Sequence, residues 1–149
     1  MTPQLFKKYC EARICKIATE VKRRLGPDAV PMTVFAKDAH YAIEAFGKSA
    51  YDVIGVDWCT APDYARKMAN GKVLQGNLDP CALYADEVSY KTFFLLTEIL
   101  KETLKQLVND MIDQFGTEKY IVNLGHGIYP DMSPDSVQTF ILAVHDRKV

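Results

Sequence analysis

Apolar residues in the first part of the chain recur at helical spacing. They occupy one face of a helix predicted over 4–25, and they are Leu5, Phe6, Cys10, Ile14, Ile17, Ala18, Val21 and Leu25. Gly26 and Pro27 follow at once. They end this helix because glycine tolerates a left-handed C-terminal conformation and proline cannot continue the helical hydrogen bonds. The short β-branched segment 31–37 then predicts a strand, and the spacing over 39–50 predicts a second helix.

Three further strand–helix pairs complete the pattern. The segment 51–58 has a near-continuous apolar run, which is typical of a strand covered on both faces. Ser133 is a candidate N-cap with Pro134 in the first turn, which predicts a final helix over 134–145. The remaining predicted elements are helix 60–70, strand 72–80, helix 96–115 and strand 119–127.

The alternation of strands and helices predicts an α/β fold with four parallel strands and outer helices. Two architectures fit this pattern, an open doubly wound sheet and part of a (β/α)8 barrel. A complete barrel typically needs about 250 residues, and the chain has 149. Four units are therefore half of a barrel, and the pattern alone does not choose between the two.

Composition narrows the function classes. There are 18 basic and 19 acidic residues, giving a net charge of −1, so nothing favours binding to nucleic acid or to an anionic membrane surface. No apolar run reaches the roughly 20 residues of a transmembrane helix, and the first residues lack a secretory signal pattern. We therefore expect a cytoplasmic protein.

Four cysteines lie at positions that favour reduced thiols. Cys10, Cys15, Cys59 and Cys81 form no C-x-x-C pair, and no His/Cys group has zinc spacing. We expect no metal site, and a redox role is the alternative for the cysteines.

Polar residues follow all four predicted strands, at the ends where parallel α/β folds bind ligands. They predict either a binding face or ordinary polar loops. His126 is the sharpest candidate, because Gly125 and Gly127 flank it and would let backbone approach a ligand. A histidine can bind a carboxylate, and the alternative is a loop histidine bonded to backbone.

Other polar residues have structural interpretations beside the functional ones. Asp57 and Asp79 are candidate acid/base groups, but loop amides can equally satisfy them. Lys37 is expected to pair with Asp38 or another acid. His40 and His145 are expected on helix surfaces.

Longer motifs in the chain resemble the uroporphyrinogen decarboxylase family of haem biosynthesis. They are VPMTVFAKDAHYAIE, YDVIGVDW, LQGNLDPCALYA and NLGHGIYPDMSPDSV. The resemblance covers nearly the whole chain and implies the C-terminal half of a (β/α)8 TIM barrel, as one partial domain over 1–149. It implies an enzyme, usually a homodimer without metal or organic cofactor, that removes four acetate carboxyl groups of uroporphyrinogen to give coproporphyrinogen.

The resemblance carries one cleft residue over to this chain. It implies that His126 lies near a substrate carboxylate, in agreement with the interpretation from the residues alone. The family's substrate-binding arginines, and the aspartate that contacts the pyrrole nitrogens, lie in the N-terminal half and have no counterpart here, so no catalytic residue is assigned. Five further residues match family motif positions without an assigned role: Asp57, Gln75, Asn77, Asp79 and Asn123.

Two alternatives to a working decarboxylase follow from this partial match. The chain alone is an incomplete enzyme, so it could be a catalytically inactive fragment or an interaction partner of a full-length subunit. The related corrinoid methyltransferases, which bind zinc through His and Cys, are disfavoured by the His/Cys spacing.

Three expectations concern the chain itself. Met1 falls where the family continues in mid-barrel, which suggests an internal methionine of a longer protein. The stretch around 88–100 is longer than in the family, so it is either a translated short intron or a longer helix start. Half a barrel has two unpaired edges, so we expect poor solubility or self-association.

Overall fold

A four-stranded parallel sheet forms the centre of the computed structural model, which describes residues 1–86 and 94–147 and the side chains of 1–84 and 99–147. Its strands are β1 (Thr33–Phe35), β2 (Val53–Gly55), β3 (Val73–Leu78) and β4 (Tyr120–Leu124). They lie side by side in the order β1-β2-β3-β4, each parallel to the next. A doubly wound sheet reverses its strand order at a switch point, whereas a barrel keeps its strands sequential. The order is therefore that of half a (β/α)8 barrel.

A helix is present in each predicted helical segment, but the one predicted over 39–50 is α-helical only over Ile43–Gly47. The first is interrupted: α1 (Pro3–Phe6) and α2 (Ala12–Leu25) are joined by a π turn, Lys7–Glu11. The others are α3 (Ile43–Gly47), α4 (Pro62–Met68), α5 (Phe94–Phe115) and α6 (Pro134–His145). Single 3₁₀ segments, at Gly26–Asp28, His40–Ala42 and Pro80–Asp86, link them to the strands. Much of the predicted stretch 88–100 lies outside the described residues, so its origin stays a prediction.

The helices cover one face of the sheet. Val34, Ile54 and Leu74 stand in register on adjacent strands and are 7%, 0% and 0% exposed. They belong to one hydrophobic core with side chains of the surrounding helices, among them Ala18, Phe46 and Val108. Alternate residues of a strand point to opposite faces, so this row defines the outer face of the sheet.

The opposite, inner face is open. Phe35, Gly55, Gln75 and Ile121 form the next row in register, and Phe35 and Ile121 are 46% and 44% exposed. In a complete barrel this row would fill the interior. The sheet therefore has a helix-covered side and a bare apolar side.

The first helical segment is amphipathic as predicted, but its apolar face is wider than the part that is buried. Phe6 and Ala18 are buried, whereas Leu5, Ile17 and Leu25 are about half exposed. The predicted helix and its apolar face are therefore confirmed apart from the π turn, and only part of that face is buried. None of the helices among the described residues is both long and apolar enough to cross a membrane.

Arg66 fixes the end of α5 to α4. Its guanidinium donates to the carbonyl oxygen of Phe115 at 2.7 and 3.0 Å, and to those of Glu118 at 2.8 Å and Lys119 at 3.1 Å. The Phe115 carbonyl lies at the last residue of α5, where helical hydrogen-bond partners end, and the other two carbonyls belong to the turn before β4. The contact places β4, and the loop that follows it, relative to the rest of the sheet.

Candidate functional site

His126 lies in the loop after β4, at the rim of the inner face, and is half-buried. Its Nδ1 is 2.5 Å from the carbonyl oxygen of Gly127. Because a carbonyl oxygen only accepts, Nδ1 must carry a proton in this contact. Nε2 is then the ring nitrogen left for a ligand: an acceptor in the neutral ring and a donor in the charged one.

Aromatic rings hold the imidazole on two sides. The Trp58 ring centroid is 4.7 Å from that of His126, and the Tyr129 centroid is 5.3 Å away, both in edge-to-face orientation. The Lys37 ammonium lies over the Trp58 ring, 4.9 Å from its centroid. The ends of β1, β2 and β4 thus meet at His126, as expected for parallel strands.

Lys37 does not take the carboxylate partner that its sequence predicts. Among the side chains that the structure describes, those of 1–84 and 99–147, no carboxylate lies within ion-pair distance of its ammonium, and Asp38 contacts Asp57 instead, through its backbone N–H. Lys37 therefore keeps an exposed positive charge next to the aromatic pair, held by a cation–π contact.

The two glycines beside His126 differ in what a side chain would meet at each position. A Cβ at Gly125 would lie 2.6 Å from the backbone nitrogen of Trp58, while Gly125 N–H donates to the Leu78 carbonyl at 2.7 Å. A Cβ at Gly127 would meet nothing within 4 Å. Close approach is thus required at Gly125 only, and it is to the protein's own backbone rather than to a ligand.

A groove of about 350 Å³ runs along the inner face up to His126. Phe35 and Ile128 form apolar walls, and Gln75 and Asn123 add amide groups. His126 is the single titratable side chain among the described residues that line it. The groove is therefore suited to an apolar body that carries a hydrogen-bonding or anionic group at one end.

Asp57 and Asn77 hold the strand ends together. The Asp57 carboxylate is 3% exposed and accepts from the Asp38 N–H and the Thr60 hydroxyl, each at 2.7 Å. The Asn77 amide donates to the carbonyls of Asp57 and Thr60, both at 2.8 Å. Both side chains are engaged in loop structure. For Asp57 this is the structural interpretation that the sequence allowed.

Asp79 and the nearby thiols lie outside the groove. The Asp79 carboxylate accepts from the Cys81 N–H at 2.9 Å, as in an Asx turn. Desolvation, and then the carboxylates of Asp57, Asp38 and Asp79, raises the pKa of Cys59 above its ordinary value. Desolvation and Asp79 raise the pKa of Cys81 as well. Raised pKa values disfavour the thiolate and so do not support a redox or nucleophilic role.

The remaining sequence candidates are placed as follows. His40 and His145 are exposed on helical segments, as predicted. All four cysteines are free. Across the part of the chain that the structure describes, no group of three or more His, Cys, Asp or Glu side chains could hold a metal ion.

Trp58 and Tyr129 are the site residues that the sequence analysis missed as neighbours of His126. Trp58 occupies the last position of the predicted strand 51–58, and that placement at a strand end was an available signal. Tyr129 lies three residues beyond His126, and its position depends on how the loop turns, which spacing does not show.

Comparison with known proteins gives one consistent match. The family model described as uroporphyrinogen decarboxylase matches residues 1–147. The chain is similar to the uroporphyrinogen decarboxylase of Homo sapiens, with 48% identity over 147 residues that cover 96% of this chain and 36% of the relative. That of Danio rerio is 45% identical over 149 residues, covering 97% and 37%. That of Salinibacter ruber is 42% identical over 147 residues, covering 98% and 37%. The chain thus spans little more than a third of the length of these curated relatives.

Proposed function

The chain belongs to the uroporphyrinogen decarboxylase family, and from that premise we propose that it supplies one wall of a decarboxylase cleft, in which His126 binds a substrate carboxylate. The reaction would remove the acetate carboxyl groups of uroporphyrinogen and yield coproporphyrinogen. The chain would take the place of the C-terminal half of the family barrel. The position of His126, at the rim of the inner-face groove, is the observation that carries this proposal.

The contacts of His126 support a binding role. Its Nδ1–H is used by the Gly127 carbonyl, so Nε2 is the nitrogen that would meet a carboxylate. A carboxylate there favours the charged ring, and the resulting hydrogen bond would be charge-assisted. Trp58 and Tyr129 hold the ring plane while this occurs, and the apolar groove would receive part of a pyrrole ring.

The chemistry of decarboxylation requires groups beyond this wall. A pyrrole carbon must be protonated, carbon dioxide must leave, and positive charge on the pyrrole must be stabilised by a carboxylate. No carboxylate, arginine or lysine is found among the described residues that line the groove. We therefore expect binding by this chain alone and turnover only when the rest of a cleft is present.

A non-enzymatic role is the second candidate. Its support is that the chain spans about 36% of its human relative while exposing an apolar sheet face. In that case the chain would act as an interaction partner of another subunit rather than as a catalyst.

A binding titration tests the role of His126 directly. Uroporphyrin, the stable oxidised form of the substrate, is added to the 149-residue chain while the fluorescence of Trp58, the single tryptophan, is followed. We expect quenching, and an affinity roughly tenfold weaker for His126→Ala because a charge-assisted hydrogen bond is lost. His40→Ala, at an exposed histidine outside the groove, should match the unaltered chain. Equal affinities for both variants would contradict the proposal.

An exchange of segments tests the enzymatic part. Residues 1–147 replace the matching segment of the human relative, and decarboxylation of uroporphyrinogen is measured. The hybrid should turn over substrate, and His126→Ala should raise KM more than it lowers kcat, because a binding group is removed. A folded hybrid without activity would favour the non-enzymatic role.

A further inference from the structure

Lys37 and His126 contact the same aromatic ring. The Lys37 ammonium is 4.9 Å from the Trp58 ring centroid, and the His126 ring centroid is 4.7 Å from the Trp58 centroid, so the ammonium lies within about 10 Å of the imidazole. Lys37 is not among the residues that line the groove, and the binding role proposed for His126 does not involve it. Two groups that can each carry a positive charge therefore stand at one rim of the fold.

A buried carboxylate fixes Lys37 beside Trp58. The Asp38 N–H donates to the Asp57 carboxylate at 2.7 Å, and the same carboxylate accepts from the Thr60 hydroxyl at 2.7 Å. Lys37 directly precedes Asp38 in the chain, and Trp58 directly follows Asp57. These bonds tie the end of β1 to the end of β2, so the position of the Lys37 backbone is set by contacts within the chain.

The loop that carries His126 is held against the same tryptophan. The Gly125 N–H donates to the Leu78 carbonyl at 2.7 Å, and a Cβ at Gly125 would lie 2.6 Å from the Trp58 backbone nitrogen. The loop backbone and the Trp58 backbone are therefore in close contact. The ammonium and the imidazole are both held relative to Trp58 before a ligand arrives, which reduces the ordering that binding would otherwise require.

The Lys37 ammonium can bind a carboxylate without leaving Trp58. An ammonium carries three N–H donors, and a cation–π contact is an electrostatic attraction to the ring face that leaves these donors available. The four-carbon stem of a lysine is flexible, so the ammonium can adjust its position over the ring. A hydrogen bond between an ammonium and a carboxylate is charge-assisted and is stronger than a neutral one.

The proposed substrate presents its carboxylates in pairs. Uroporphyrinogen carries an acetate and a propionate on neighbouring carbons of each pyrrole ring, so each ring offers two carboxylates a few ångströms apart. A charge-assisted hydrogen bond adds about 2.8 Å at each end. Two such carboxylates therefore fit between two donors that lie within about 10 Å of each other.

We propose that Lys37 binds the second carboxylate of the pyrrole ring whose first carboxylate is held by His126, an inference that rests on the proposed role of His126. Lys37 is then a specificity-determining residue. A ring that keeps both arms meets both positive groups at once, whereas a ring that has lost its acetate carboxyl group can meet only one of them at a time. The pair thereby favours rings that have not yet reacted over rings that have.

Two porphyrins that differ in this feature test the inference. Uroporphyrin has two carboxylates on every ring, and coproporphyrin has a methyl group in place of each acetate. Each is titrated into the 149-residue chain, with affinities taken from the midpoint of Trp58 quenching and checked by calorimetry. Lys37→Gln should weaken uroporphyrin binding about tenfold, because one charge-assisted hydrogen bond is lost. It should weaken coproporphyrin binding less than about threefold, since His126 still takes the single carboxylate of the ring.

Matched variants separate this contact from general attraction of an anion. Lys67→Gln removes the same charge from an exposed position on α4 and should leave both affinities nearly unchanged. Lys37→Arg keeps the charge and should bind uroporphyrin within about threefold of the unaltered chain. Lys37→Gln combined with His126→Ala should weaken coproporphyrin binding about tenfold, because neither positive group remains. Far-UV circular dichroism confirms that each variant folds.

The outcomes distinguish this inference from the proposed function. If Lys37→Gln behaved like Lys67→Gln, or weakened the two porphyrins equally, the shared-ring arrangement would be overturned, while a tenfold loss in His126→Ala would still support the proposed function. No effect of His126→Ala on uroporphyrin binding would contradict the proposed function and remove the first carboxylate contact on which the pair depends. Absence of uroporphyrin binding by the unaltered chain would contradict both.

Discussion

Asp52 links three segments of the chain through one carboxylate. The Lys22 ammonium lies 2.6 Å from both of its oxygens, and the Met32 N–H donates to one of them at 2.8 Å. The hydrogen bond from Lys22, followed by that from Met32, lowers the pKa of Asp52 below its ordinary value. The carboxylate thereby fixes α2 and the start of β1 to the start of β2.

The lowered pKa of Asp52 predicts an acid-sensitive contribution to stability. Since the pKa is lower in the folded state, the contribution is complete above the unfolded value of about 3.9 and is lost as the pH falls through the folded value. We expect Asp52→Asn to reduce the free energy of unfolding at pH 7 by less than about 1 kcal/mol, because the pair is partly exposed. Its deficit should shrink on acidification below about pH 4. Urea unfolding at pH 7 and pH 3 measures both.

Asp28→Asn provides the control, because this carboxylate lies exposed in the turn after α2. It should leave stability at pH 7 nearly unchanged. If the deficit of Asp52→Asn were the same at pH 7 and pH 3, the carboxylate would not be the stabilising group.

Residue type alone could not separate binding groups from structural ones. Asp57 and His126 both follow strands and both qualify as acid/base groups in the sequence. The carboxylate of Asp57 accepts hydrogen bonds from the Asp38 N–H and the Thr60 hydroxyl, whereas the ring of His126 borders the groove. That difference arises from loop conformation, which residue spacing does not encode.

The loop after β4 is held against the loop after β2, and its two glycines differ sharply in what surrounds them. Gly125→Ala should destabilise the chain by roughly 1–3 kcal/mol, because the new Cβ would force Trp58 backbone away. Gly127→Ala should change stability by less than about 0.5 kcal/mol, since nothing lies within 4 Å of its Cβ position. Thermal unfolding of both variants checks this contrast.

The Gly125 substitution should also displace His126 relative to Trp58. The emission of the single tryptophan should therefore change in Gly125→Ala and remain unchanged in Gly127→Ala. Similar destabilisation by the two alanines would contradict the close contact between the loops.

Some elements were predictable from local signals and others were not. The last helix was predicted over 134–145 and spans Pro134–His145, because Ser133 caps it by accepting from the Asp135 N–H at 3.2 Å. The strand predicted over 31–37 shrinks to Thr33–Phe35, since strand ends depend on a paired neighbour. The π turn Lys7–Glu11 interrupts the first predicted helix, and the apolar spacing on either side of it leaves no distinct sequence signal.

At the scale of the whole molecule, the alternation of elements predicted an α/β fold but left two architectures open. The sequential strand order resolves them in favour of the barrel half, as the motif resemblance implied. The buried part of the apolar face on the first helix could not be predicted from the sequence. The spacing of apolar residues shows which side chains share a face, but not whether another element of the fold packs against them. Leu5 and Ile17 lie on the predicted apolar face of that helix and are half exposed.

The layering of the molecule predicts opposite outcomes for substitutions on the two faces of one sheet. Leu74 lies fully buried under the helices, and Ile121, on the neighbouring strand and the other face, is 44% exposed. In dilute protein, Leu74→Ala should cost roughly 2–5 kcal/mol of unfolding free energy. Ile121→Ala should cost less than about 1 kcal/mol, because solvent already reaches half of its side chain. Urea unfolding measures both. Equal costs at low concentration would mean that both faces of the sheet are covered within a single chain.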